Sequence, residues 1–174
     1  MRALLVLALA LALFSAALAR AASKPLPAPK ADFAASGQPV KTKYFTAPMP
    51  KGWVMPEKIK SRPGGLSCVF LDRKSVNTVN LTIMDIPLKS EEFAKGVAQT
   101  MKKSGLKIGQ LEKIGPLYRA PVNDKAKGEA WFACDGKTCA ATVILGEKID
   151  KNAVNAFLSA FKPASPGIYP KKMK

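Results

Sequence analysis

Two cysteines in the C-terminal half of the chain have a spacing suited to a disulfide. Cys134 and Cys139 flank residues 135–138, a polar tetrapeptide with glycine at its second position. If Gly136 and Lys137 form a two-residue hairpin turn, the two cysteines face each other on adjacent strands, close enough to bond. We expect this disulfide, which closes so short a loop that it contributes only about 2 kcal/mol. The alternative, a redox-active pair, lacks the two-residue spacing and the helix N-terminus that lower a thiol pKa.

The third cysteine, Cys68, lies in a segment that alternates in the manner of a strand. It shares strand parity with Leu66 and Phe70, which directs its side chain into the core. We therefore expect a buried free thiol that packs as a small hydrophobic group. A reactive thiol, or a disulfide to a second chain, is the alternative interpretation.

The chain contains no histidine. This excludes Ser-His-Asp and Cys-His catalysis, histidine-ligated zinc and c-type haem attachment. Its acidic residues are scattered, and the adjacent Glu91 and Glu92 are explained by the start of a helix. Asp85 lies at a strand end beside Ile86. It is either a functional carboxylate or, in the simpler interpretation, an exposed residue that ends the strand. No phosphate-binding glycine loop or calcium loop is present, so we expect a non-enzymatic protein without a metal or cofactor.

The first nineteen residues have the pattern of a cleavable secretory signal peptide. A single charge, Arg2, precedes an apolar run over residues 3–14, and residues 17–19 (Ala-Leu-Ala) offer the small side chains that signal peptidase requires. Cleavage before Arg20 would deliver the protein to the periplasm or the medium, where disulfides form. The alternative, an uncleaved membrane anchor, needs a longer and more strongly apolar run. No later segment is apolar for long enough to span a bilayer, so we do not expect an integral membrane protein.

The chain is strongly basic. Its 28 basic and 12 acidic residues give a net charge of +16, and loss of residues 1–19 removes only Arg2 and leaves +15. Most of the excess is lysine, a solvated point charge without the guanidinium fork that suits phosphate or guanine contacts. The charge indicates either a soluble surface or a site for a polyanion. The candidate basic surface consists of Lys41, Lys43, Lys58, Lys60, Lys102, Lys103 and Lys107.

Composition divides the rest of the chain into three parts. Residues 20–41 are rich in proline, alanine and lysine and are predicted to form an extended linker. Residues 42–162 are predicted to form a single domain. Residues 163–174 repeat the proline and lysine pattern and are predicted to be a basic flexible tail.

Within the domain, strands precede and separate two helices. The predicted strands are 43–46, 53–55, 66–71, 79–83, 110–114, 117–119 and the two arms of a hairpin over 129–145. The first helix begins at Ser90, whose hydroxyl is expected to cap it, and stops near Gly105. The second begins at Asp150 and ends before Pro163. Consecutive strands joined by short turns favour antiparallel pairing, which predicts an α+β fold with both helices packed on an antiparallel sheet.

This layout resembles the PsbP/Mog1-like family, an α/β/α sandwich around an antiparallel sheet. The resemblance rests on residues 44–48 (Tyr-Phe-Thr-Ala-Pro) and 50–53 (Pro-Lys-Gly-Trp), followed by a strand pair, the helix over 90–101, a hairpin and a last helix that ends in Phe161-Lys162. It covers residues 42–162. It implies a non-catalytic accessory or binding protein, since eukaryotic members dock on a photosystem or a small GTPase. The docking residues of those members have no recognisable counterpart in this chain, and none is carried over.

Three hypotheses follow for function. The first is an exported, non-enzymatic accessory protein with a protein partner in the cell envelope, for which Trp53 is either a core aromatic or an exposed recognition residue. The second is a binder of a polyanion or an anionic membrane surface, favoured if the candidate basic surface clusters on one face. The third, an enzyme or redox protein, is disfavoured by the missing histidine and the cysteine spacing. Nucleic acid is not an expected partner, because the aromatics lie on apolar stripes and do not alternate with arginine.

Overall fold

A computed structural model of the chain describes residues 34–174. The predicted signal peptide, and the predicted linker up to residue 33, lie outside the described residues. The strands are β1 Val40–Lys41, β2 Phe45–Ala47, β3 Trp53–Val54, β4 Lys60–Arg62, β5 Gly65–Asp72, β6 Asn77–Met84, β7 Glu112–Ile114, β8 Leu117–Asn123, β9 Lys127–Cys134, β10 Cys139–Gly146 and β11 Lys162–Pro163. The helices are α1 Ser90–Lys103, α2 Lys151–Ala160 and a 3-10 turn at Pro166–Ile168.

The architecture is α+β, as predicted, with two antiparallel sheets. The main sheet has the strand order β3-β5-β6-β10-β9-β8-β7, and β4 pairs with the same edge of β5 as β3. A small sheet has the order β1-β2-β11. The long strands pair as consecutive hairpins, because alternating apolar residues joined by short turns favour antiparallel neighbours.

The two faces of the main sheet are covered by different layers. On one face, α1 buries Phe93, Val97 and Met101 against residues such as Phe132 of β9. On the other face lie α2, the small sheet and the C-terminal segment, which form a second core around Phe157. The strands of the centre are apolar on both sides as a result, as β9 and β10 show.

The β9–β10 hairpin has the predicted register. Gly136 has a positive φ of 90°, which a two-residue turn favours, and the Asp135 amide donates to the Thr138 carbonyl at 3.0 Å. Cys134 and Cys139 are therefore direct cross-strand partners, and their sulfurs are 2.01 Å apart.

The predicted cap of α1 is wrong, whereas its predicted end is confirmed. Lys89 occupies the N-cap without a side-chain hydrogen bond, and the Ser90 hydroxyl accepts from the Cys134 amide at 2.9 Å. Ser90 is already the first helical residue, so its side chain reaches the end of β9 rather than its own helix. At the other end Gly105, with φ at 88°, allows Leu106 to donate back to the Met101 carbonyl.

The second helix begins as predicted. The Asp150 carboxylate accepts from the Ala153 amide at 3.0 Å and caps α2. Phe161 follows the helix, and its ring still packs on Phe45 and Tyr169.

The packed domain is longer than the predicted range of 42–162. Upstream, Ala34 bridges Met55, and β1 joins the small sheet. Downstream, residues 163–174 lie on the sheet and bury a set of apolar side chains in the second core, in contrast to the predicted flexible tail. These side chains are Ile168, Tyr169 and Met173. Proline withholds ladder hydrogen bonds but does not prevent such packing. Among residues 34–174, no helix has the length and apolarity needed to cross a bilayer.

Candidate functional site

A groove of about 460 Å³ lies between the edge of the main sheet and the C-terminal segment. Its floor comes from Ile114, Leu117 and Trp131, three apolar residues on β7, β8 and β9. The C-terminal segment forms the opposite wall and rim. Its lining residues are Pro166, Gly167, Tyr169, Pro170, Lys171, Lys172 and Lys174, and Pro116 of the β7–β8 turn completes the groove. We call this the C-terminal groove.

The C-terminal segment is held in place by hydrogen bonds as well as by packing. The Ala164 amide donates to the Tyr44 carbonyl at 2.8 Å, where the segment leaves the small sheet. Further along, the Met173 amide donates to Asn155 Oδ1 of α2 at 2.8 Å. The wall of the groove is therefore built before any partner arrives, which lowers the entropic cost of binding.

An ion pair between buried Glu129 and half-buried Arg119 supports the floor. The Glu129 carboxylate accepts from Arg119 Nη2 at 2.6 Å and from Trp131 Nε1 at 3.1 Å, and Glu129 is buried. The Lys174 amide also donates to Glu129, at 3.3 Å. Both carboxylate oxygens are thus engaged, and the hydrogen bond that Arg119 donates to Glu129 raises the pKa of Arg119 above its usual value. This network fixes the Trp131 indole in the floor and ties it to the C-terminal segment.

The groove is positively charged at its rim. The side-chain ammonium groups of Lys171, Lys172 and Lys174 form no ion pair with an acidic side chain among residues 34–174. The nearby carboxylates of Glu112 and Glu129 both pair with Arg119, whose single positive charge offsets one of the two. The three lysines exceed the one remaining negative charge, so the rim is positive on balance. Burial raises the pKa of the Tyr169 phenol, so this ring stays neutral and adds no negative charge. An apolar floor beneath a cationic rim can hold an apolar side chain next to a carboxylate.

The remaining cysteine is in the core. Cys68 is a buried free thiol, in agreement with its strand parity, and burial raises its pKa. A protonated, inaccessible thiol is neither a nucleophile nor a metal ligand.

Asp85 is a junction between three segments. It accepts from Lys43 Nζ and from the Tyr44 hydroxyl, each at 2.8 Å, and from the Thr138 hydroxyl at 3.4 Å. Burial on its own would raise the pKa of Asp85, but the hydrogen bonds from Lys43 and Tyr44 outweigh it and lower the pKa. The carboxylate is therefore an ionised acceptor that links the small sheet to the β9–β10 turn.

The candidate basic surface is not a single patch. Lys41 and Lys43 belong to the small-sheet layer, and Lys43 is paired with Asp85. Lys102 and Lys103 end α1, and Lys107 follows it, on the opposite face of the main sheet. Lys58 precedes β4, and Lys60 lies within it and pairs with Glu57 at 3.0 Å.

Trp53 lies in the core. It is 2% exposed, and its ring stacks on Phe157 of α2 with the centroids 4.4 Å apart. The other tryptophan, Trp131, is the one that lines the C-terminal groove.

Residues 34–174 hold no group of three or more Cys, Asp or Glu side chains arranged to bind a metal ion. The chain matches no protein-family model, no curated protein and no solved structure.

Proposed function

We propose that this is an exported, non-enzymatic accessory protein of PsbP/Mog1-like type that docks an acidic segment of a protein partner in the cell envelope. The observation that carries the proposal is the C-terminal groove, whose apolar floor is ringed by lysines without acidic partners. The ion pair of buried Glu129 with half-buried Arg119, and the hydrogen bond from Trp131 to Glu129, hold this surface in one arrangement.

The groove favours a partner that is both acidic and apolar. Burial of one large apolar side chain contributes about 1.5–3 kcal/mol. Each exposed carboxylate–lysine pair adds about 0.2–1 kcal/mol and also speeds encounter. Two anchored side chains with two or three rim pairs add up to about 3–9 kcal/mol before the cost of association is subtracted. The affinity of a single such segment is therefore weak, weaker than about micromolar.

A diffuse polyanion surface is less well supported. The lysines of the candidate basic surface lie on opposite faces of the main sheet, and two of the seven already have acidic partners. The rim of the C-terminal groove concentrates three lysines around one apolar floor.

The proposal is tested with two fluorescent polymers of equal length, a random copolymer of glutamate and phenylalanine and a pure polyglutamate. Fluorescence anisotropy at about 0.15 M salt reports binding to the purified protein. We expect the copolymer to bind at least tenfold more tightly than polyglutamate, because only the copolymer can fill the floor. The Lys171→Glu/Lys172→Glu variant should weaken copolymer binding at least tenfold.

The matched control is Lys41→Glu/Lys58→Glu, which changes the net charge equally but lies outside the groove. It should bind the copolymer within about twofold of the unsubstituted protein, since screening limits charge effects to about 8 Å. Equal losses in the two variants, or equal affinity for the two polymers, would support a diffuse polyanion surface and contradict the proposal.

A further inference from the structure

One edge of the main sheet has no neighbouring strand within residues 34–174. β7 ends the strand order and pairs only with β8. Upstream of β7 the same edge continues, because Ile108 bridges Val122 and the Gly109 amide donates to the Pro121 carbonyl at 2.8 Å. The outer border of β8 is thus lined by residues 107–114.

The register of β7 directs backbone groups away from the sheet. Ile114 and Leu117 flank a two-residue turn, and such residues form a hydrogen-bonded pair. Lys113 and Tyr118, one step further, are then a non-hydrogen-bonded pair. The amide and carbonyl of Lys113 therefore point outward, where a further strand would meet them.

A lysine-bearing groove lies on each side of this edge. The C-terminal groove, with Ile114 and Leu117 in its floor, opens on the α2 face. On the α1 face a second groove of about 480 Å³ runs between the helix and residues 109–111, and Lys102 lines it. Successive side chains of a strand point to opposite faces, so a strand added here would place alternate residues in the two grooves.

The charges of this edge select an acidic occupant. Glu112 is paired with Arg119 at 3.2 Å, and Glu91 is paired with Lys95 at 2.6 Å. Lysines without acidic partners in the described part of the chain remain along the edge and both grooves, namely Lys102, Lys113, Lys171 and Lys172. Repulsion between such lysines disfavours edge-to-edge pairing of two copies of this chain.

We infer that an extended acidic segment of the partner adds to β7 as a new edge strand and seats alternate side chains in the two grooves. This inference rests on the proposed function and specifies its binding mode. Main-chain hydrogen bonds to Lys113 supply affinity, and the two grooves supply the preference for acidic and apolar side chains.

The test uses a labelled dodecapeptide of alternating glutamate and valine, and the same peptide N-methylated at every residue. Methylation of every residue removes the amide donors from both edges of the peptide and so prevents strand pairing along either edge, with the side chains unchanged. We expect the unmethylated peptide to bind at least tenfold more tightly than the methylated one. In the complex, hydrogen exchange of the Lys113 amide should slow at least tenfold.

Two variants of one residue separate the backbone from the side chain. Lys113→Pro removes the outward amide and should lower the affinity for the unmethylated peptide at least tenfold. Lys113→Ala keeps the amide and should bind the unmethylated peptide with an affinity within about threefold of that of the unsubstituted protein. The comparison of the two peptides uses the unsubstituted protein. Edge addition can therefore be tested even if Lys113→Pro fails to fold.

Equal binding of the two peptides, no binding of either, or unchanged exchange at Lys113 would overturn edge addition. If copolymer binding still depends on Lys171 and Lys172 while Lys113→Pro and Lys113→Ala bind the copolymer equally, the proposed function stands without it. If the Lys171→Glu/Lys172→Glu variant also binds the copolymer normally, both fail.

Discussion

At the scale of single residues, Trp53 illustrates how a local motif acquires a role through packing. Its position after a Pro-Lys-Gly turn was compatible with either a core aromatic or a recognition residue. The structure stacks its ring on Phe157, which lies 104 residues further along the chain, so that the short strand β3 is anchored to α2. The stacked pair stabilises the fold both by burying apolar area and by the favourable offset arrangement of the two rings.

Replacing Trp53 with alanine should therefore lower the free energy of unfolding by about 3–5 kcal/mol, since a large buried ring leaves a cavity. Urea denaturation followed by circular dichroism measures the change. Copolymer binding under native conditions should persist in any folded fraction, because Trp53 does not line the groove. A loss below about 1 kcal/mol together with abolished binding would identify Trp53 as a recognition residue instead.

Val76 is under backbone strain at the tip of the β5–β6 hairpin. It has a φ of 55°, and it is 60% exposed, so burial does not compensate for a conformation that β-branched residues avoid. Val76→Gly should raise the free energy of unfolding by about 1 kcal/mol. Thermal unfolding measures it, with Val76→Ala as a control that keeps a Cβ and should gain less. A destabilised glycine variant would show that the valine side chain has a stabilising contact.

Asp85 should contribute a pH-dependent part of the stability. Its pKa is lower in the folded protein than in the unfolded chain, so its contribution is present above the unfolded pKa and is lost as the pH falls through the folded value. Asp85→Asn should therefore lose less stability than the unsubstituted protein between about pH 5 and about pH 2. Asp124→Asn, at a half-buried residue of the β8–β9 loop, is the control. Parallel pH profiles for Asp85→Asn and the unsubstituted protein would refute the role of the Lys43 and Tyr44 hydrogen bonds.

At the scale of elements, the alternation of apolar residues in strands and the capping residues of helices predicted the long elements correctly. The β9–β10 hairpin, its turn and the Cys134–Cys139 pairing follow from residue parity, and the Asp150 cap follows from residue type. Short elements without an apolar pattern were missed. β4 has the sequence Lys-Ser-Arg and is a strand only through its pairing with β5. Nothing in its own residue types distinguishes it from a loop.

The Cys134–Cys139 disulfide also belongs to the scale of elements, because it crosslinks the two strands of the β9–β10 hairpin, which contributes residues to both cores. Reduction should lower the free energy of unfolding by about 2 kcal/mol in the unsubstituted protein. The same reductant should leave a Cys134→Ala/Cys139→Ala variant unchanged. Denaturant titration with and without reductant measures both, and non-reducing peptide mapping identifies the bond. A bond to Cys68 in the map would contradict the strand register and the core assignment.

At the scale of the whole molecule, the candidate site was beyond sequence reasoning. Its floor comes from three strands and its rim from the C-terminal segment, which the composition predicted to be a flexible tail. Trp131 and Glu129, two residues apart on β9, could be placed on one face by parity, but their link to Lys174 depends on how the tail folds back. The net charge of +16 was compatible with either a soluble surface or an anionic partner, and it could locate no site, since lysine is spread along the chain.

The central claim is that an acidic, apolar partner occupies the C-terminal groove, and Trp131 is a reporter already in place. In a Trp53→Phe background Trp131 is the only tryptophan of the chain, so its emission reports the groove floor alone. On titration with the glutamate–phenylalanine copolymer at about 0.15 M salt, we predict a saturable change in this emission. The change should disappear in Lys171→Glu/Lys172→Glu and persist in Lys41→Glu/Lys58→Glu. Copolymer binding detected by anisotropy while the emission of Trp131 stays constant would place the partner elsewhere on the molecule and contradict the account.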